Sequence, residues 1–497
     1  MAPPAVPAAS VTPQVCRNKT RTVTNVEHRG IDSTAEMQLE RLIAALAPKD
    51  VVGRAPVELS DLAYDAGSVV PGALFFCVRG SRADGHDFAA DAVARGAEAL
   101  VVERPLELAV PQLVVDDSRL AMAIAAAEFF GQPTNELEVA GVTGTNGKAT
   151  TTYLLYAILA AAGRKPGLLG TVETRVGDEV RTAVRTTAEA IDLQRTFREM
   201  LDAGNESCAL EATSHGSELH RLDGVRFAAL VFTNLTQDHL DFHGTMERYF
   251  DAKRRLFAQD VPAAVNVGDE YGRRLAAELP QALTFGFADD AELGPSALDG
   301  IDLKLRGRFN VENALAALAA SRLLGVDDAA ARAGLESVRA VPGRFEEVDE
   351  GQPFTVLVDY AHTPDALANV LRTARGLGGR VICVFGAGGD RDRDKRPQMG
   401  RVASELADVA IVTSDNPRSE DPSAIIEEIV AGAAGRLEVE PDRRRAIELA
   451  LDEARPGDVV VIAGKGHEQG QEFADRKLPF DDREVARELL RSAKVQA

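Results

Sequence analysis

The chain of 497 residues has four cysteines, fewer basic residues (56 Lys and Arg) than acidic ones (77 Asp and Glu), and no apolar run long enough for a bilayer. Each shortage excludes something. Cys16, Cys77, Cys208 and Cys383 are spaced too widely and irregularly for a zinc framework. With stretches such as LFFCVRG around them, reduced thiols of a cytoplasmic protein are expected rather than disulfides. A bilayer span needs about 18 to 20 apolar residues, so no transmembrane helix is expected. The opening MAPPAVPAASVTPQ lacks a basic segment followed by a long apolar core; residues 1–24 read as a mobile tail rather than a secretory signal. The formal charge of -21 disfavours nonspecific nucleic-acid binding, while leaving room for a local basic pocket that takes an anionic substrate.

What is present is enough apolar material, 45% of residues, for several cores. Three blocks follow the tail. VPGALFFCV reads as turn then strand, and FAADAVARGA as a helix leading into the strand ALVVE, giving a small α/β domain over 25–135. The second block, 136–342, alternates short apolar strands such as SCALEA and AALVFTNL with helices, the signature of a mainly parallel sheet. VPGRFEEV marks a junction, and 343–497 begins a fresh series in which polar residues directly follow short strands: TVLVDYAHTPDAL, RVICVFGAGGDRDRDKRPQMG, VAIVTSDNPRSEDP and DVVVIAGKGHEQG. In open α/β sheets such loops gather ligands. A three-domain α/β protein with an interdomain site that closes during catalysis is the expectation.

The stretch ELEVAGVTGTNGKATTTYLLYAILAAAG places a strand, a glycine loop and a helix in the order that aims a helix N-terminus at phosphate. Gly147 and Lys148 fit the phosphate-loop pattern, but strict spacing puts its first glycine at Val142, between Gly141 and Gly144. Position 149, where a magnesium-binding hydroxyl is usual, is Ala. After the next strands come Glu211, which offers hard oxygens to magnesium, and His239, which offers a nitrogen. Lys253 lies among Phe250, Leu256 and Phe257; it is a surface lysine covering apolar area, a neutraliser of phosphate, or a carbamylated metal-facing group. Arg391, Lys395 and Arg396 in GGDRDRDKRP and Arg418 in SDNPR supply cations for anions, and Arg418 with Glu468 suits either a zwitterionic amino acid or a solvated network.

GVTGTNGK, TNLTQDHLDFHGTMERYFDAK, RFNVENALAA, VPGRFE, DYAHTPDAL, GGDRDRDKRP, SDNPR and GKGHE occur in one order along nearly the whole chain. In this the sequence resembles the Mur ligase family, whose own loop has the form GTNGK, and within it the branch that adds meso-diaminopimelate in peptidoglycan synthesis. The resemblance implies a monomeric, cytoplasmic, ATP- and Mg2+-dependent amide ligase of cell-wall construction. Its substrates would be UDP-N-acetylmuramoyl-L-alanyl-D-glutamate and meso-diaminopimelate. It implies that Gly144, Thr145, Asn146, Gly147, Lys148, Ala149, Thr150, Asn313, Arg344, Asp359 and His362 contact ATP. Glu211 and His239 would bind metal, and Lys253 would be the carbamylated lysine supporting it. Asp65, Ala66, Gly67, Thr186, Thr187, Thr213 and Arg221 would meet the muramyl nucleotide, and Arg391, Asp415, Asn416, Arg418, Gly464 and Glu468 the incoming amino acid. The DNPR form points to diaminopimelate rather than lysine.

Three positions depart from that pattern. Ala149 replaces a threonine, Asp65-Ala66-Gly67 stands where the family has aspartate, serine and arginine, and Ala188 replaces a proline. The first bears on turnover and the second on nucleotide anchoring. They frame the alternative of a catalytically weak homologue that binds nucleotide or regulates.

Overall fold

The computed structural model describes residues 37–53, 56–80 and 83–496, so the tail and Cys16 lie outside the described residues. Cys77, Cys208 and Cys383 are buried free thiols. No described helix is long and apolar enough to cross a membrane.

Among the described residues three large sheets follow one another along the chain, with two two-stranded ribbons beside them. The first has five strands, from one edge Asp50–Val52, Gln112–Val114, Ala97–Val102, Ala73–Phe76 and Asp61–Ala63, parallel except at the Asp50–Val52 edge. Ala97–Val102 reads AEALVV, and its four last residues are all buried, as expected where a parallel strand is covered on both faces. The helix Ser118–Phe129 covers this sheet; Asp117 caps it by accepting from Arg119 N and Leu120 N.

The second sheet has eight strands, in the order Glu179–Thr182, Glu173–Val176, Pro166–Leu169, Ser207–Glu211, Glu138–Thr143, Phe227–Phe232, Ala263–Asn266 and Leu283–Phe285. Six are parallel, and the first two form an antiparallel hairpin at one edge. Helix Lys148–Ala161 is buried along most of its length because helices Arg308–Leu323 and Asp328–Ser337 pack on it. Gly334 permits a close approach: a Cβ there would overlap the backbone of Ile158.

The third sheet runs Glu346–Glu347, Thr355–Asp359, Val459–Ala463, Val381–Phe385, Val409–Val412 and Glu438–Val439, parallel but for the first strand. VICVF and VVVIA are wholly buried, with separate apolar clusters on the two faces of the sheet.

This topology decides where the site falls. Glu138–Thr143, which feeds the glycine loop, is flanked by Ser207–Glu211 on one side and Phe227–Phe232 on the other, with Glu211 paired to Val142 and Phe232 to Thr143. Parallel strands end together. The segments that follow them, though the second and third come roughly 70 and 90 residues after the glycine loop, therefore emerge at one edge of the sheet.

Candidate active site

The glycine loop is shaped by its neighbours. Gly144 and Gly147 have φ of 152° and 88°, and a Cβ would overlap the Thr233 hydroxyl at the first and the Asn313 side chain at the second. The segment after Phe232 pins the loop: Thr145 N donates to Asn234 O (2.9 Å), Asn146 N to Asn234 Oδ1 (2.8 Å), and Thr233 Oγ1 to Asn146 O (2.7 Å). The helix begins at Lys148 with no side-chain cap, so its first N–H groups are free to meet an anion. Lys148 Nζ curls back onto Gly144 O (3.0 Å) and Thr145 O (2.8 Å). Burial lowers its pKa, and Glu211 and Asp238 work against that. Ala149 is buried at the next position, and the Thr152 hydroxyl is bonded to the Lys148 and Ala149 carbonyls.

The third sheet reaches this loop directly. Asn146 Nδ2 donates to Asp365 Oδ2 (3.0 Å) on helix Pro364–Arg375. Asp359 accepts from Phe345 N and Ala361 N, both at 2.7 Å, and burial raises its pKa to about 6 against the pull of Arg344. Arg344 lies over the Tyr360 ring, 4.2 Å from its centroid. The His362 ring is anchored to Tyr360 O through Nδ1 (2.7 Å) and is neutral near pH 7, its pKa pushed to about 4 by burial.

Glu211 and His239 flank the loop. The Glu211 carboxylate accepts from Thr171 N (2.6 Å) and Thr171 Oγ1 (3.0 Å), and a Cβ on Gly170 would crowd it. His239 sits at φ 55° with its ring edge-on to His215, centroids 4.8 Å apart. Burial drops its pKa well below 6.5, against the neighbouring Asp238 charge. Lys253 is not a surface lysine: it is 1% exposed, with Nζ donating to Gly144 O (2.8 Å) and lying over the Tyr249 ring. Burial, then the Lys148 charge, hold its pKa well below 10.5, which favours the neutral amine.

Magnesium fits such a donor set in one way. Among the described residues no three His, Cys, Asp or Glu side chains converge as a metal cluster. A carboxylate or two completed by phosphate oxygens and waters is the arrangement magnesium accepts, and Glu211 at the phosphate loop suits it.

Two clefts border this centre. The larger, about 2200 Å³, lies between the first and second sheets and includes Asp65, Gly67, Arg185, Thr186 and Glu189 in its walls. Asp65 caps the short turn Ala66–Ser68 by accepting from Gly67 N (3.1 Å), and Ala66 is buried in the apolar core beneath. A hydroxyl chain runs inward: Thr213 Oγ1 donates to Thr187 Oγ1 (3.0 Å), and Thr187 Oγ1 to Glu211 O (2.7 Å), while Thr171 Oγ1 meets Thr186 Oγ1 (3.1 Å). Arg221 Nη1 donates to Thr187 O (3.0 Å).

The smaller cleft, about 740 Å³, brings Thr171, Arg185 and Thr186 opposite Asn416, Arg418 and Glu468. Glu468 accepts from Asn416 Nδ2 (2.6 Å). Gly464 lets Asp415 approach, since a Cβ there would overlap its carboxylate. Arg418, at φ 53°, donates from Nη1 to Gly389 O (2.7 Å). Arg391 is exposed, with Nη1 on Asp390 O (2.9 Å).

Arg396 corrects an expectation. It is fully buried and its guanidinium is bonded to Glu420 (2.8 and 2.9 Å) and Glu428 (2.8 Å), so it holds the domain together rather than binding an anion from solution. Lys395 is also buried and pairs with Asp238 across the domains (3.6 Å).

Sequence reasoning passed over Asp238 and Lys465. Burial acts to raise the Asp238 carboxyl, but His239, Lys395 and His362 outweigh it and hold the group well below the usual carboxylate range. Lys465, wholly buried, donates to Asn416 Oδ1 (2.8 Å) and Glu468 Oε2 (3.2 Å). Both stand inside quoted motifs, TQDHLD and GKGHE, and each has one partner nearby, His239 and Glu468, but His362, Lys395 and Asn416 lie far along the chain.

A phosphate loop central to a parallel sheet, with two polar-lined clefts opening beside it between three α/β domains, defines a three-domain nucleotide-dependent enzyme. Three family profiles match the chain: "Mur ligase family, catalytic domain" at 59–144, "Mur ligase middle domain" at 142–321, and "Mur ligase, glutamate ligase domain" at 343–466. The chain belongs to the Mur ligase family. It is 48% identical over 467 residues to the UDP-N-acetylmuramoyl-L-alanyl-D-glutamate–2,6-diaminopimelate ligase of Solibacter usitatus, covering 88% of this chain and 94% of that one. It is 47% identical over 488 residues to the ligase of the same name from Geobacillus thermodenitrificans, covering 92% and 99%. A solved structure of a ligase of that name superposes with a TM-score of 0.64 at 31% identity, over 92% of this chain and 99% of that chain. MurF of Acinetobacter baumannii, at 20% identity and a TM-score of 0.61 over 93% and 100%, shares the fold.

Proposed function

We propose that this protein joins meso-diaminopimelate to UDP-N-acetylmuramoyl-L-alanyl-D-glutamate with hydrolysis of ATP to ADP and phosphate. The observation that carries this is the smaller cleft, where Thr171 and Thr186, beside the phosphate loop, face Asn416, Arg418 and Glu468. Relatives at 48% and 47% identity over most of both chains carry that activity in their names.

In this reading a γ-carboxylate oxygen of the glutamate attacks the γ-phosphorus of ATP and ADP leaves. The amine of diaminopimelate then attacks the acyl carbon, phosphate departs, and the nitrogen loses a proton. The uncapped helix start at Lys148 and the lysine itself neutralise the charge that spreads over the transferred phosphoryl group. Gly144 to Thr150 cradle the phosphates, with Asn313, Arg344, Asp359 and His362 on the rest of the nucleotide. Glu211 and His239 would hold magnesium, which would supply charge neutralisation when bound. The buried, neutral-leaning amine of Lys253 is suited to add carbon dioxide, forming an N–C bond with loss of the amine's proton and turning a neutral amine into an anionic carbamate. Asp65, Ala66, Gly67, Thr186, Thr187, Thr213 and Arg221 take the muramyl nucleotide in the larger cleft. Arg391, Asp415, Asn416, Arg418, Gly464 and Glu468 take the amino acid. The domain limits 25–135, 136–342 and 343–497, a cytoplasmic location and a monomeric state belong to the same proposal.

Ala149 supports a second reading, a homologue that binds these ligands and turns over poorly. One assay separates the two: ADP release that requires both the muramyl dipeptide nucleotide and diaminopimelate, with the tripeptide product seen by mass. Binding of both without product on prolonged incubation refutes the ligase.

A further inference from the structure

Glu189 follows Thr187 by two residues, and its side chain is 6% exposed. Three guanidiniums converge on it. Arg185 Nη1 and Arg221 Nη2 each lie 2.7 Å from Oε1, and Arg119 Nη1 lies 3.3 Å from Oε2. Arg119 stands on the helix that covers the first sheet, whereas Arg185 and Arg221 belong to the second block. Asp192 is the next carboxylate facing Arg185, but it is also drawn on by Arg195, so Arg119, Arg221 and half-exposed Arg185 still outnumber the carboxylates they share, an excess of positive charge that a further anion would answer.

Two further observations say where that anion comes. Arg221 Nε is buried with no hydrogen-bond partner among the described residues. Arg185, half-exposed, lines both the larger and the smaller cleft, on the segment 181–186 that separates them. A substrate whose nucleotide occupies the first cleft and whose carboxylate reacts beside the second must pass this segment.

We propose that Glu189 is a positioning residue, the common counter-ion that holds Arg185 and Arg221 toward an oxyanion of the substrate passing between the clefts and, through Arg119, fixes the first domain against that passage. This rests on the ligase reading above. The oxyanion is either a carboxylate of the glutamyl end or the diphosphate, the two anionic groups that a UDP-linked peptide carries.

The test compares wild type with Glu189→Gln, Glu189→Asp, Arg119→Met and Arg185→Gln, the last altering a half-exposed side chain that leaves folding intact. Calorimetric titration with UDP-muramyl dipeptide and with UDP alone accompanies steady-state ligation. Glu189→Gln should raise KM for the muramyl nucleotide about tenfold with kcat changed less than about twofold. KM for ATP and for diaminopimelate should not move, and Glu189→Asp should recover part of the loss. Weaker binding of the dipeptide nucleotide alone assigns the carboxylate; weaker binding of UDP as well assigns the diphosphate. An unchanged KM in both Glu189→Gln and Arg185→Gln, or equal losses for all three substrates, overturns the inference while leaving the ligase standing. A wild type that makes no product overturns both.

Discussion

Replacing Arg418 by Ala should convert a selective amino-acid site into an indifferent one. Arg418 lies in the smaller cleft at φ 53°, a left-handed conformation that Ala adopts at the same cost, so the substitution changes the side chain and not the backbone. Part of the guanidinium fork already faces protein oxygens, Nη1 at Gly389 O (2.7 Å) and Nε at 3.4 Å from Glu472. The remaining donors are those a distal carboxylate of diaminopimelate would engage, and L-lysine has no such group. Charge-assisted hydrogen bonds contribute about 1.5 to 3 kcal/mol. At 22% exposure Arg418 is neither at the surface nor in the core. A loss of about 2 kcal/mol, roughly 30-fold in kcat/KM for diaminopimelate, is therefore expected. For lysine the change should stay below about threefold, and ATP binding should not alter. Arg418→Lys, which keeps the charge but not the planar fork, should fall between. The assay is ligation of each amino acid at saturating ATP and muramyl nucleotide. Equal wild-type efficiencies for the two amino acids, or equal losses in the variant, would refute the reasoning.

Ala149→Thr should raise turnover more than it tightens muramyl-nucleotide binding, because the added hydroxyl enters at the phosphate end of the site; an unchanged rate across a magnesium titration counts against it. Arg396→Met should lower stability by about 1 to 3 kcal/mol, since it takes a buried partner from Glu420 and Glu428, of which Glu428 keeps Arg393. Urea denaturation reads this, and KM for diaminopimelate should be nearly unchanged; a midpoint equal to wild type would show the pairs are not structural. For Asp359, whose carboxyl burial raises to about 6, the folded state holds the proton more tightly than the unfolded chain. Its stabilising contribution is thus complete below the unfolded value of about 4 and is lost as pH rises through about 6. The melting-temperature gap between wild type and Asp359→Asn should move in favour of the variant over that window and be flat above about pH 7; a gap independent of pH contradicts it.

The glycine loop, the alternation of short apolar strands with helices, and the order of motifs were all legible in the chain, because each is written in neighbouring residues. Strand, turn and helix start follow from local periodicity and from where glycine is tolerated. The off-register first glycine is a case in point: VTGTNGK announces a phosphate loop, and the structure adds why Gly144 and Gly147 are needed, against Thr233 and Asn313 from distant segments. The tertiary structure alone decided which charges face solvent, which face each other and which face a cleft. Lys253 and Arg396 sit in polar, charged stretches, DAKRR and RDKRP, that look equally exposed. One is buried against the Gly144 carbonyl and the other between two glutamates. Glu189 drew no attention in the sequence, yet it gathers arginines from positions 119, 185 and 221. A side chain's charge is fixed by its chemistry, but its role is set by desolvation and by partners within a few ångströms. Those partners are brought together by the pairing of parallel strands, which local sequence does not encode.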